Sequence, residues 1–203
     1  MKPSHGIVKV NFDAAVSSKK MGYGMIAQDS NGFLLGGGGG GGIVEINLHA
    51  DYAKLKVFGE NIIFSKAFKF NDIQFETNSV RLVNCINKKG KDITILGHRA
   101  NEVCKQMANF NFSKFVWANR SCNRIVDFLC KKAIFNNFNS MFKVDYPSDI
   151  HDLVLKAVAV DYPVSTILAG YPISTVSMDY LVFTIPMNYP MFIALVDYAG
   201  CHN

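Results

Sequence analysis

Residues 8–13 read Val-Lys-Val-Asn-Phe-Asp, and residues 22–32 read Gly-Tyr-Gly-Met-Ile-Ala-Gln-Asp-Ser-Asn-Gly. In the first stretch Val8, Val10 and Phe12 fall on one face and Lys9, Asn11 and Asp13 on the other, the period of two of a half-buried strand. The spacing predicts a strand with Asp13 on its polar side near the end. Residues 22–28 predict a second short strand, residues 29–32 a turn, and Phe33, Leu34 and Leu35 the opening of a third, so the chain begins as an antiparallel meander. Seven consecutive glycines, residues 36–42, follow. A phosphate-cradling loop needs Lys and then Ser or Thr at the start of a helix, whereas Ile43, Val44 and Glu45 stand there. The run is therefore expected to be a flexible hairpin expansion that interrupts the third strand, because glycine loses the most backbone freedom on ordering.

Outward from this meander, Leu48, Tyr52, Leu55, Ile62 and Ile63 recur at helical spacing. They predict a long amphipathic helix over residues 48–68, with Lys54, Lys56 and Lys66 off the apolar stripe. Residues 72–76 alternate again and lead into Thr77, Asn78 and Ser79, side chains suited to a strand-to-helix cap. A short helix over residues 80–87, a basic turn at residues 88–91, a helix over 98–109 and a strand over 112–118 come next. Asn123 is expected to cap a last helix over residues 124–138, with Ile125, Phe128, Leu129 and Ala133 buried. The order β-β-β-α-β-α-α-β-α is that of an α/β fold, a mixed five-stranded sheet flanked by helices.

With 203 residues, 49% hydrophobic and 18% charged, the chain is long enough for one ordinary core plus an appendage, and its composition is not that of a disordered chain. The formal charge of +5 averages two unlike parts: residues 1–143 carry 20 basic and 10 acidic side chains, whereas residues 144–203 carry Lys156 against six acids. A basic body favours a polyanionic partner. Residues 1–13 hold no apolar stretch and no small-residue cleavage site, so an intracellular rather than secreted protein is expected. Five scattered cysteines include no Cys-x-x-Cys pair and suit neither a disulfide framework nor a zinc site.

Four motifs, taken in order, resemble those of the ribonuclease H superfamily, and within it the plant reverse-transcriptase-like branch. Residues 8–13 are similar to a strand of the form Lys-x-Asn-x-Asp, and residues 22–32 to Gly-x-Gly-x-x-x-Arg-Asp-x-x-Gly. Glu76, Thr77, Asn78 and Ser79 are similar to Glu-Thr-Asp-Ser, and residues 123–127 to Asn-x-x-Ala-Asp. The resemblance covers residues 7–135 and continues weakly through Tyr146, Pro147, Ser148 and Asp149. It implies an RNase H-like domain of retroelement-derived type over residues 7–143, with residues 144–203 as an irregular C-terminal extension.

The resemblance also implies a chemistry, metal-dependent endonucleolytic cleavage of the RNA strand of an RNA–DNA hybrid. Two Mg²⁺ ions about 4 Å apart would be held by roughly four carboxylates. Matched residue by residue, Asp13 and Asp127 take the first and last carboxylate positions and are the expected catalytic and metal-binding residues. The third position falls on Asn78, and the second, counted back through Glu60 and Asn61, on Lys54. An amide and an ammonium do not replace two anionic ligands, so the resemblance implies impaired cleavage. Lys54 then stands either to pair with the retained acids or to meet a phosphate. Asp51 shares a helical face with Lys54, and Glu76 a strand face with Asn78, but recruiting either requires a shift of several Å. Trp117 occupies a position where the family often has histidine; as a lone Trp on a terminal strand it is expected in the core, the alternative being a ring on which a base stacks.

Nucleic-acid binding rests on distributed charge and survives such losses. Lys88, Lys89, Lys91, Arg120, Arg124, Lys131 and Lys132 are the candidate phosphate contacts, and the expected partner is an RNA–DNA hybrid or another duplex. In the extension, Pro186 and Pro190 interrupt the apolar residues 181–196, a stretch shorter than the roughly 20 residues of a spanning helix, so no membrane span is expected. The alternative reading keeps only the fold, as a non-catalytic scaffold whose extension contacts a protein partner.

Overall fold

The computed structural model describes residues 3–17, 19–44, 49–88, 90–136, 138–161, 181–183 and 194–196. By its internal contacts the chain divides into two units, Met1–Asp161 and Tyr162–Asn203. In the first unit, β1 (Val8–Ser17), β2 (Lys20–Gln28) and β3 (Leu34–Ile43) form the antiparallel meander. Helix α1 (Ala50–Ala67) crosses to β4 (Asp72–Thr77), which pairs parallel with β1. Helices α2 (Val80–Asn87) and α3 (Ile95–Lys105), then a 3-10 turn at Gln106–Asn109, lead to β5 (Phe112–Trp117), parallel to β4. A 3-10 turn at Arg120–Asn123 precedes α4 (Arg124–Asn136). Strand β6 (Ser140–Phe142) pairs antiparallel with β3, so the sheet has six strands rather than five, in the order β5-β4-β1-β2-β3-β6. A further 3-10 turn at Ser148–Ile150 opens into α5 (His151–Asp161). In the second unit β7 (Leu181–Phe183) pairs antiparallel with β8 (Ala194–Val196). Among the described residues no helix is long and apolar enough to cross a membrane.

The alternation in β1 puts its apolar side chains in one layer and the buried polar Asn11 and Asp13 on the other face. Val10, Phe12 and Ala14 join Phe58 and Ile62 of α1, Phe75 and Phe115 in the larger core. There the Phe58 ring lies 5.7 Å from Phe12, 5.1 Å from Phe75 and 4.7 Å from Phe115, within the range of favourable aromatic pairing. The opposite face is covered by α4 through Ile125, Val126 and Leu129, with Ile26, Phe142, Ile150 and Val154 completing a second core. That packing requires the glycine at position 24. A Cβ there would lie 2.6 Å from the Val126 carbonyl oxygen and 2.7 Å from the Leu129 Cβ, so glycine lets α4 sit against the sheet.

Several expectations change here. The glycine run does not interrupt β3; it is β3, paired with β2 from Ala27 opposite Gly36 to Met21 opposite Gly42. The ladder needs only backbone amides and carbonyls, and neighbouring side chains such as Phe68 and Phe142 close over the missing ones. Helix α3 starts at Ile95 rather than at residue 98, because the Thr94 hydroxyl accepts the Gly97 amide and caps it. The long helix starts at Ala50, and residues 45–48 lie outside the described residues. The compact unit runs past Lys143 to Asp161, since Ile150 and Val154 are buried in the second core. Of the remaining extension, only residues 181–183 and 194–196 are described.

Candidate functional site

Strand β1 pairs with β4 only as far as Asn11 opposite Glu76, so it runs on beyond its neighbour and carries Asp13 to the carboxyl end of the parallel strands. Ligand sites of α/β sheets form at such strand ends. Asp13 is 6% exposed. Its Oδ1 accepts the Ala14 amide at 2.8 Å and forms an ion pair with the Lys54 ammonium at 2.9 Å, and its Oδ2 accepts the Asn78 amide at 2.9 Å. Lys54 Nζ also donates to Asn78 Oδ1. Asp13, Lys54 and Asn78, from β1, α1 and the end of β4, thus form a closed ring of one ion pair and two hydrogen bonds. Next to Asn78 in the chain, Ser79 caps α2 by accepting the Leu82 amide and donates its hydroxyl to Asp51 of α1 at 2.9 Å.

Asp127 stands in the first turn of α4 and is met by cations of its own, Lys131 at 2.7 Å and Arg120 at 3.7 Å. Between the two acids lies Cys130, whose thiol donates to the Asp13 carbonyl at 3.2 Å. Burial pushes that thiol up, Asp13 and Asp127 push it further, and Lys54 opposes them, so it stays protonated at neutral pH.

Neither neighbouring acid enters the ring. Asp51 accepts from Ser79 and from Arg81 at 3.4 Å. Glu76, 1% exposed, accepts from Asn11 at 3.1 Å and from Gln74 at 2.6 Å. Asn123 does not cap α4; its side chain accepts from Asn11 at 2.8 Å and donates to the Phe12 carbonyl at 3.5 Å. This buried set of Asn11, Gln74, Glu76 and Asn123 ties α4 to β1 and β4 behind the site, and the sequence reading missed it. The available signal was Asn11 itself, a polar residue on the same strand face as Asp13. Trp117 is half-exposed at the end of β5, opposite Thr77, and is not a core residue.

The proposed phosphate contacts divide by location. Arg120, Arg124 and Lys131 lie exposed at the start of α4 and along it. Lys132 is committed to Asp149 and packs over the Phe138 ring at 4.6 Å. Lys88 pairs with Asp92 at 3.3 Å in the turn after α2, Lys91 is exposed in the same turn, and Lys89 lies outside the described residues.

A pair of divalent cations does not fit this arrangement. Such ions need several converging anionic oxygens. Lys54 places an ammonium against one oxygen of Asp13 and Asn78 an amide against the other. Among the described residues no three His, Cys, Asp or Glu side chains converge to hold a metal.

A mixed sheet with a three-stranded meander, parallel β1, β4 and β5, and an acid at the end of β1 beside α4 defines an RNase H-like domain. Solved structures agree. RNase H1 from the halophilic archaeon Halobacterium salinarum is similar at a TM-score of 0.57 and 16% identity, over 64% of this chain and 98% of that one. The N-terminal RNase H domain of a Mycobacterium tuberculosis protein is similar at 0.53 and 15%, over 64% and 94%. An RNase H1 isolated from compost, crystallised with an RNA/DNA hybrid, is similar at 0.51 and 17%, over 64% and 97%. At these identities the likeness is one of fold. No curated protein matches the chain. The family model described as reverse transcriptase-like matches residues 11–133, and the chain belongs to that family.

Proposed function

We propose that this chain is a nucleic-acid-binding protein of RNase H type in which the family's Mg²⁺-dependent cleavage of RNA in an RNA–DNA hybrid is impaired. The observation that carries the reading is the Lys54 ammonium 2.9 Å from Asp13, with Asn78 closing the ring. An ammonium held against Asp13 offsets the negative charge that a divalent cation would need there, and the Asn78 amide brings no anionic oxygen in its place. Binding has separate support. It draws on the basic body of the chain and on exposed Arg120, Arg124 and Lys131 near Asp127, and a protein of the same fold has been crystallised on an RNA/DNA hybrid.

A fluorescence-anisotropy titration of a labelled RNA–DNA hybrid at increasing salt tests the reading. For about four phosphate contacts, affinity falls by roughly two orders of magnitude between about 50 and about 200 mM monovalent salt. No affinity for the hybrid at the lowest salt removes nucleic-acid binding and leaves the fold as a scaffold.

A further inference from the structure

A carboxylate as buried as Asp13 keeps its charge only when a cation or several donors offset it. In a two-metal centre the offset comes from ions taken up from solution. Here it is covalently attached to α1. Lys54 Nζ lies 2.9 Å from Asp13 Oδ1, the Asn78 amide bridges both groups, and the Lys54 and Asp13 side chains are 14% and 8% exposed. The second retained acid, Asp127, is met by Lys131 and Arg120, so the cations at these two acids outnumber them three to two. An ammonium has three N–H donors; Lys54 donates one to Asn78 and pairs its charge with Asp13, so no more than two are engaged. The third remains for an acceptor arriving from solvent.

We propose that Lys54 is a built-in replacement for the divalent cation. This end of the sheet binds a phosphodiester oxygen of a nucleic-acid backbone through the third N–H of Lys54, with Arg120 and Lys131 supplying further positive charge and no metal ion taking part. The identity of the ligand rests on the function proposed above, whereas the replacement of the cation stands on the geometry alone. Mg²⁺ then neither stabilises the fold nor supports binding. A Lys that neutralises its acid in every state of the protein also makes the site indifferent to the metal supply.

Two readouts on the full chain test this separately. The first is the thermal unfolding midpoint in about 10 mM Mg²⁺ against EDTA at matched ionic strength. The unmodified chain shows the same midpoint in both, and the pair Lys54→Glu with Asn78→Asp gains about 5 °C in Mg²⁺ as the site regains affinity for the ion. A rise with Mg²⁺ in the unmodified chain overturns the replacement, as does a pair variant that folds but gains nothing. The second readout is anisotropy with a labelled RNA–DNA hybrid. Affinity is unchanged by EDTA, and Lys54→Gln weakens it about 3- to 10-fold and lowers the salt slope by about 1. Loss of binding in EDTA contradicts the proposal even if Lys54→Gln does not fold. A chain that binds no hybrid under any condition defeats the phosphate contact and the proposed function together, while the thermal comparison still decides whether Lys54 has replaced the ion.

Discussion

Removing the Lys54 ammonium leaves the Asp13 carboxylate buried against a single side-chain amide, and such an uncompensated charge is costly. Lys54→Met therefore lowers stability by about 3 kcal/mol in urea unfolding. Adding Asp13→Asn to Lys54→Met recovers part of that loss, since the double variant buries no ion. Equal losses in the single and double variants would show that the pair contributes nothing beyond packing. At this scale the sequence was informative wherever a side chain's role follows from its place in a motif. Lys54 and Asn78 stand where carboxylates are expected, and both are found against Asp13. It was uninformative where a role depends on a partner far along the chain. Asn123 precedes a helix, which favours capping, yet its partner Asn11 lies 112 residues away. Trp117 belongs to an edge strand whose last residue has a neighbour on one side only, so a residue type that usually packs inside is left half-exposed.

Among the elements, β3 departs furthest from local expectation. Glycine is a poor strand former on its own, but β2 and β6 flank β3 on both sides and supply its hydrogen-bond partners. The cost of ordering glycine suggests where substitution helps and where it harms. At Gly42 an added Cβ meets nothing within 4 Å, whereas at Gly37 it would lie 2.6 Å from the Met25 carbonyl oxygen and 2.8 Å from the Phe142 ring. Gly42→Thr is expected to raise stability by about 0.5 kcal/mol through strand propensity and a less flexible unfolded chain. Gly37→Thr is expected to lower it by about 2 kcal/mol through overpacking. Chemical unfolding of the two variants checks the pair, and a Gly37→Thr protein as stable as the parent would show that β3 is not packed as described. The long helix departs from its expected apolar stripe as well: α1 leaves Ile63 exposed and buries Asn61 and Ser65, since it is covered by its neighbours on more than one side and Asn61 satisfies its amide on the Val57 carbonyl one turn back.

For the whole first unit, the order of elements was legible and its extent was not. The motifs are clear only to about residue 135 and continue weakly over residues 146–149, and neither stretch predicts that Phe142, Ile150 and Val154 join Leu129 and Ile26 in one core. Ile150 is fully buried, and Ile150→Ala is expected to cost about 3 kcal/mol in chemical unfolding. An effect below about 0.5 kcal/mol would place residues 144–161 outside the cooperative unit. Charge also reads differently at this scale. Part of the positive excess of residues 1–143 lies at the site itself, where the Lys54 ammonium is held against Asp13, so a feature that favours a polyanion also disfavours metal ions. That joint consequence is tested most directly by incubating the full chain with an RNA–DNA hybrid and Mg²⁺. The account predicts no cleavage above a protein-free control, and intact RNA with the Asp13→Ala variant as well. Mg²⁺-dependent cleavage by the unmodified chain that disappears in Asp13→Ala would contradict it.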